Sequence, residues 1–254
     1  MSNSTTTEQR ATEHRTLTLY CGDCGNPKVV KLKCSKRSCI ECRRRIYWKL
    51  LKGWVELVKE MQHPKFLTVT IRNLPVITRD DVRRIRSQFI RLLRRKYYTT
   101  RIRGGIYVIE LTNKGKGWHL HIHALIDTYN RSKGFLPWEK LKRDWLSITG
   151  TSMVVDIKEA VNTRGALEYI LKYLVKPPEV YGQEDVYDDV MKGARLIQTF
   201  GTLYGEKPGR PQLACEKCGC CWWISEYQIH RLSTSLENEP RSCRSSFSQS
   251  KDFN

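Results

Sequence analysis

The chain is short of acid: 26 Asp and Glu stand against 45 Lys and Arg, a formal net charge of +19 over 254 residues. That balance disfavours basic partners and points to nucleic acid or another polyanion. Long apolar runs are also missing. The longest wholly apolar stretch is 220–224, far too short to span a bilayer. Residues 1–15 are polar and lack an apolar core, so neither a secretory signal nor a membrane partner is expected. No Gly-x-x-x-x-Gly-Lys-Ser/Thr occurs, so no ATP-driven helicase domain is expected. Cysteine is absent between Cys42 and Cys215. Nine of the ten fall in two clusters, Cys21, Cys24, Cys34, Cys39, Cys42 and Cys215, Cys218, Cys220, Cys221. In a cytosolic chain that placement favours thiolate metal sites over a disulfide framework. What the chain does have is apolar residues at 40% and seven Trp, enough to bury a core.

Five segments follow from composition: a disordered arm (1–15), a basic zinc module with a helix (16–63), a core of alternating strands and helices (64–178), a C-terminal segment with a second cysteine module (179–233), and a Ser-rich disordered tail (234–254). Residues 46–60 read as a helix, with Trp48, Leu51, Val55 and Val58 at helical spacing. In the core, 66–71 reads as a strand and 79–97 as a helix. Residues 106–112 and 118–127 form a hairpin around 113–117, and 138–148 is a helix. A strand at 153–157 precedes a helix at 163–175. The order β-α-β-β-α-β-α predicts an α+β fold, a largely antiparallel sheet with helices related to the ferredoxin-like pattern. Residues 177–210 read as a linker and loops.

Three of the six histidines lie on one predicted strand. Period-two alternation puts Trp118, Leu120, Ile122, Ala124 and Ile126 on a buried face and His119, His121, His123 and Asp127 on the other. Alternate imidazoles on one face can chelate one ion. A four-residue loop at 114–117 pairs Asn113 with Trp118 and sets Glu110 opposite His121; a five-residue loop turns Glu110 away. Glu110 is the only carboxylate of its strand, which favours the first register.

The last core helix carries an apolar stripe of Leu167, Ile170, Leu171 and Leu174. Tyr169, Tyr173, Lys172 and Lys176 gather on the opposite side, the tyrosines one above the other at i and i+4. Metal ligands, paired phenols and cations in a strongly basic chain suit covalent attack on phosphorus in a nucleic-acid strand.

These residues resemble the HUH endonucleases, the superfamily of rolling-circle replication initiators, relaxases and related transposases. The stretch 66–70 is similar to the first-strand motif, and His121-Ile122-His123 to the His-hydrophobic-His motif. Tyr169 with Lys172 and Tyr173 with Lys176 are each similar to the family's Tyr-x-x-Lys, and together they resemble the two-tyrosine class. The resemblance covers residues 64–178. It implies an HUH (ferredoxin- or RRM-like) core and a plasmid or viral replication initiator in the host cytosol. The implied reaction is nicking of single-stranded or hairpin origin DNA, leaving a 5′-phosphotyrosine link and a free 3′-OH for a host polymerase, with a host helicase as a further partner. It also implies Mg²⁺ or Mn²⁺ on His121, His123 and Glu110, with His119 as the alternative third ligand. Tyr169, first of the pair, is taken as primary nucleophile, with Tyr173 the alternative because Lys172-Tyr173-x-x-Lys176-Pro177 is similar to the pattern of plasmid initiators. Lys172 or Lys176 is taken as stabiliser of the phosphorane or proton donor to the leaving oxygen. A transposase with the same chemistry and a non-catalytic zinc-containing nucleic-acid binder are the alternatives.

Cys21-x-x-Cys24 and Cys39-x-x-Cys42 fit a four-cysteine structural zinc site, with Cys34 as a spare ligand. Cys215-x-x-Cys218 opens a second module, completed by Cys221, His230 or Cys243; sharing of ligands with the first cluster is a further option. Arg43, Arg44 and Arg45 beside the first cluster, and Arg83, Arg84, Arg91, Arg94 and Arg95 on the long helix, are the expected phosphate contacts.

Overall fold

The computed structural model describes residues 14–34, 36–130, 132–160, 162–176, 178–195, 197–207, 209, 213–225 and 228. The chain divides into two compact units, one made of both chain ends (1–34 with 211–254) and one of residues 35–210.

The smaller unit contains β1 (Thr16–Cys21), β2 (Pro27–Lys31) and β8 (Trp223–Ser225), an antiparallel sheet in the order β2-β1-β8. Its buried residues are Cys21, Cys215 and Cys220, with Cys24, Trp222 and Trp223 packed on them. Cys21 and Cys24 of the first cysteine module thus fold with the second module, while Cys39 and Cys42 belong to the larger unit. Gly22 is required where β8 approaches: a Cβ there would fall 2.0 Å from the Trp222 ring.

The larger unit contains α1 (Ile40–Lys59), β3 (Pro64–Thr70), α2 (Arg79–Leu93), α3 (Lys96–Thr99), β4 (Ile102–Asn113), β5 (Trp118–Thr128), α4 (Trp138–Thr149), β6 (Val155–Glu159), α5 (Thr163–Val175), α6 (Glu184–Val190) and β7 (Gln198–Gly201). Five of these strands form an antiparallel sheet in the order β6-β3-β5-β4-β7. The α+β class and the β-α-β-β-α-β-α order of the core are as expected. Helices cover both faces. Val82, Ile85, Phe89 and Leu92 of α2 and Leu141 and Trp145 of α4 pack with Leu67, Leu120, Ile122 and Ala124 on one side. Leu51, Trp54 and Val58 of α1 and Leu167, Ile170, Leu171 and Leu174 of α5 pack with Ile106, Val108 and Leu125 on the other.

Local chemistry explains the boundaries. A capping box starts α2: Asp81 N–H donates to Thr78 Oγ1, and the Asp81 carboxylate accepts from Thr78 N–H. The helix expected over 79–97 stops at Leu93 because the chain turns to bury Tyr98, whose hydroxyl donates to Asp144 at 2.7 Å. Helix α1 begins six residues before the expected position 46, and Trp48 falls outside its buried stripe, 59% exposed, while Trp54 takes the core position. Residues 177–210, expected to be linker and loops, contribute α6 and the edge strand β7. Gly104 and Gly105 permit that edge to close, since a Cβ on either would meet Thr202 or Leu125 backbone within 3 Å. Among the described residues, no helix is long and apolar enough to cross a membrane.

Candidate metal and tyrosine site

The hairpin takes the register that faces Glu110 toward the histidines. Asn113 pairs with Trp118 and Glu110 with His121, while β3 sets Thr70 opposite His121 and Thr68 opposite His123. Cross-strand neighbours share a face, so one row across three strands reads Thr70, His121, Glu110. Thr70 Oγ1 lies 2.9 Å from His121 Nδ1, and Thr68 Oγ1 lies 3.2 Å from His123 Nδ1. These contacts hold both rings by Nδ1 and fix their orientation. His123 Nε2 meets Glu110 Oε2 at 2.9 Å. Sequence reasoning did not single out Thr68 and Thr70; their alternation within 66–70, in step with the histidines, was the available signal.

Burial holds His121 down to about 4, partly offset by Glu110. Its imidazole is therefore neutral at neutral pH, the form that binds metal. The His121 and His123 rings are stacked with centroids 5.9 Å apart and planes inclined by 20°. His121, His123 and Glu110 share one face, but their donor atoms do not all lie within 4.8 Å of one another. His119 continues the stack at 6.0 Å from His121, but its cross-strand neighbour is Thr112. Asp127, on the same face, is buried and accepts from the backbone N–H groups of Gln62 and His63, a structural task.

Helix α5 lays its tyrosines beside this row. The Tyr173 ring stacks flat on His123, centroids 3.6 Å apart and planes within 3°. Its hydroxyl donates to the Tyr169 hydroxyl at 3.0 Å. Burial, then the Tyr169 hydrogen bond, pushes Tyr173 well above the ordinary phenol range. Tyr169 is 43% exposed and packs on Phe66. Lys172 Nζ sits 3.6 Å from the Tyr169 ring centroid and 5.1 Å from that of Tyr173. Lys176 is instead paired with Glu179, which also binds Lys114 at 2.7 Å, because the chain folds back after α5.

In the smaller unit, Cys21, Cys24, Cys215 and Cys218 bring their sulfurs within 4.8 Å of one another. Cys21 and Cys218 sulfurs are 3.5 Å apart, and Cys24 and Cys215 sulfurs 3.6 Å apart. A zinc tetrahedron with Zn–S of about 2.3 Å has edges of about 3.8 Å. The Cys24 amide donates to Cys21 and holds it down to about 6; the Cys218 amide likewise lowers Cys215. The expected grouping of Cys21 and Cys24 with Cys39 and Cys42 is corrected: the two Cys-x-x-Cys turns that meet come from opposite ends of the chain, brought together by β1–β8 pairing. Cys34, Cys39 and Cys42 are outside this set of four. Cys221 Sγ turns to the Gly219 carbonyl instead. His230 and Cys243 lie outside the described residues.

The expected phosphate contacts divide. Arg43 is buried and donates to Tyr187 Oη at 2.9 Å and to the Tyr173 and Arg37 carbonyls at 3.2 Å, so it is a packing residue. Arg95 is bound to Asp144 and Ser147, Arg84 to Asp81 and Arg83 to Asp80. Arg45 donates to Cys42 Sγ at 3.5 Å. Arg44, Arg91 and Arg94 are exposed.

The larger unit thus carries a His-x-His strand, a facing Glu and a tyrosine helix on one antiparallel sheet, and the smaller unit carries a cluster of four cysteines. A family model, Rep_1, described as replication protein, matches residues 30–211. The chain belongs to this replication protein family, and the expected resemblance to replication initiators holds at that level. Neither the curated proteins nor the solved structures yield a match.

Proposed function

We propose that this replication protein initiates rolling-circle replication by nicking and rejoining a DNA strand with a tyrosine nucleophile. The observation that carries the reading is the stack of Tyr173 on His123, which joins the nucleophile helix to the histidine row. His121, His123 and Glu110 would hold Mg²⁺ or Mn²⁺, which when bound polarises the scissile phosphate. Tyr173, in contact with this ligand set, is the better-placed primary nucleophile, in preference to Tyr169. Its phenol oxygen forms the bond to phosphorus, the P–O3′ bond breaks, and the 3′-oxygen takes up a proton. The products are a 5′-phosphotyrosine and a free 3′-OH that a host polymerase extends in the cytosol. The proton lost by the Tyr173 hydroxyl is balanced by the one the 3′-oxygen takes up, and Tyr169 holds that hydroxyl in place by accepting its hydrogen bond. Lys172, close to both rings, supplies positive charge to the phosphorane; Lys176 supplies it only after release from Glu179. Zinc on Cys21, Cys24, Cys215 and Cys218 is structural.

The test is incubation with labelled single-stranded origin DNA and Mn²⁺, followed by denaturing electrophoresis. A covalent protein–DNA adduct is expected, absent in EDTA and in His121→Ala/His123→Ala. Tight binding with no adduct in any metal would leave a non-catalytic DNA-binding protein. The family match favours replication over transposition.

A further inference from the structure

A second cleft in the larger unit, of about 990 Å³, wraps the sheet edge at β7. It begins at the opposite end of β4 from the histidine row. Gly104 and Glu110 are separated by about 20 Å at 3.4 Å per residue, and Tyr107, which lines the cleft, points to the face opposite Glu110.

Its chemistry is one-sided. Arg86, Arg94, Arg103, Arg195 and Lys207 line it, and Glu206 is the one carboxylate among the described lining residues. Arg103 is partly satisfied by Asp127 and Gln62, and the buried Tyr107 hydroxyl donates to Gln198 Oε1 at 3.1 Å. Arg94, Arg195 and Lys207 are exposed and have no ion pair among the described residues.

Trp54 also lines the cleft. Trp54 is 3% exposed, and its indole Nε1 is buried with no hydrogen-bond partner. That nitrogen is sealed from solvent, so the ring reports on the cleft and is not itself a ligand contact. The same cleft is lined by Phe200, partly buried, and Tyr204, 81% exposed. Exposed aromatics among cations suit base stacking next to phosphate. The volume lies at the upper end of the range for small-ligand sites.

We propose that this cleft is a second binding site, taking a nucleoside phosphate through Arg94, Arg195 and Lys207 and stacking its base on Tyr204, with the Trp54 ring as a neighbouring reporter. The phosphate belongs either to a free mononucleotide or to one unit of a DNA strand; the recognising chemistry is the same. The inference does not depend on the nicking reaction.

The experiment uses the full-length, zinc-loaded protein with ¹⁵N-labelled tryptophan, titrated with thymidine 5′-monophosphate, a thymidylate oligomer and inorganic phosphate. The Trp54 indole resonance, identified by its loss in Trp54→Phe, should shift saturably. Arg94→Ala/Arg195→Ala should weaken that response on the order of tenfold or more. Lys49→Ala/Lys192→Ala removes equal charge from exposed positions outside the cleft and should stay within about twofold. A response to the mononucleotide identifies the free nucleotide as source, and a response to the oligomer alone identifies a strand. No shift with either, a shift with inorganic phosphate alone, or equal weakening by both double variants would overturn the proposal.

Discussion

Arg43 separates two views of the basic N-terminal segment. By sequence it is one of three adjacent arginines facing phosphate; in the fold it is 6% exposed and clamps the start of α1 to Tyr187 and to the Tyr173 carbonyl. Arg43→Ala removes three hydrogen bonds from a charged donor and leaves acceptors in a buried pocket. Such bonds contribute roughly 1.5–3 kcal/mol each and are not additive; about 3 kcal/mol is the expected loss. For a unit of this size each kcal/mol moves Tm by about 2–4 °C, giving a fall of about 6–12 °C. Arg43→Lys keeps the charge but loses the planar fork, and should recover little of it. Thermal melting read by circular dichroism, paired with DNA affinity across a salt series, checks this. The structural role predicts a lowered Tm with an unchanged log-log salt slope. An unchanged Tm with a slope shallower by about 0.7, the signature of one lost phosphate contact on a single strand, would refute it.

Three other outcomes are expected. Thr68→Val/Thr70→Val should weaken Mn²⁺ binding about 10–100-fold with little change in fold, read by calorimetry; unaltered affinity would deny these hydroxyls an orienting role. Protein purified without chelator should carry zinc, and Cys21→Ser/Cys24→Ser should lose one equivalent by elemental analysis while the larger unit keeps its melting transition, since metal supplies the folding free energy of a unit with so few buried apolar residues; an unchanged zinc content would count against the four-sulfur site. Tyr173→Phe should remove most of the covalent adduct and Tyr169→Phe only part of it, with none in the double variant, phenylalanine preserving the ring contacts; a wild-type adduct yield in Tyr173→Phe would return the primary role to Tyr169.

What the amino-acid order determined alone is what depends on near neighbours. Period-two alternation put His121 and His123 on one strand face. The short hairpin loop and the lone carboxylate of its first strand favoured the register that faces Glu110 toward His121, and helical spacing separated the leucine stripe of α5 from its tyrosines. Each involves residues linked by one element or one tight turn, where backbone geometry leaves few options. Tertiary structure decided what depends on distant partners. The Cys21 and Cys24 turn meets Cys215 and Cys218 across nearly the whole chain, through strands too short to advertise their pairing. Arg43 is internal because α6, read as loop, supplies Tyr187 to meet it. Lys176 is engaged because the chain folds back after α5 to present Glu179. In every such case the local sequence is compatible with either fate, and the energy that chooses between them comes from contacts made only when the chain has closed.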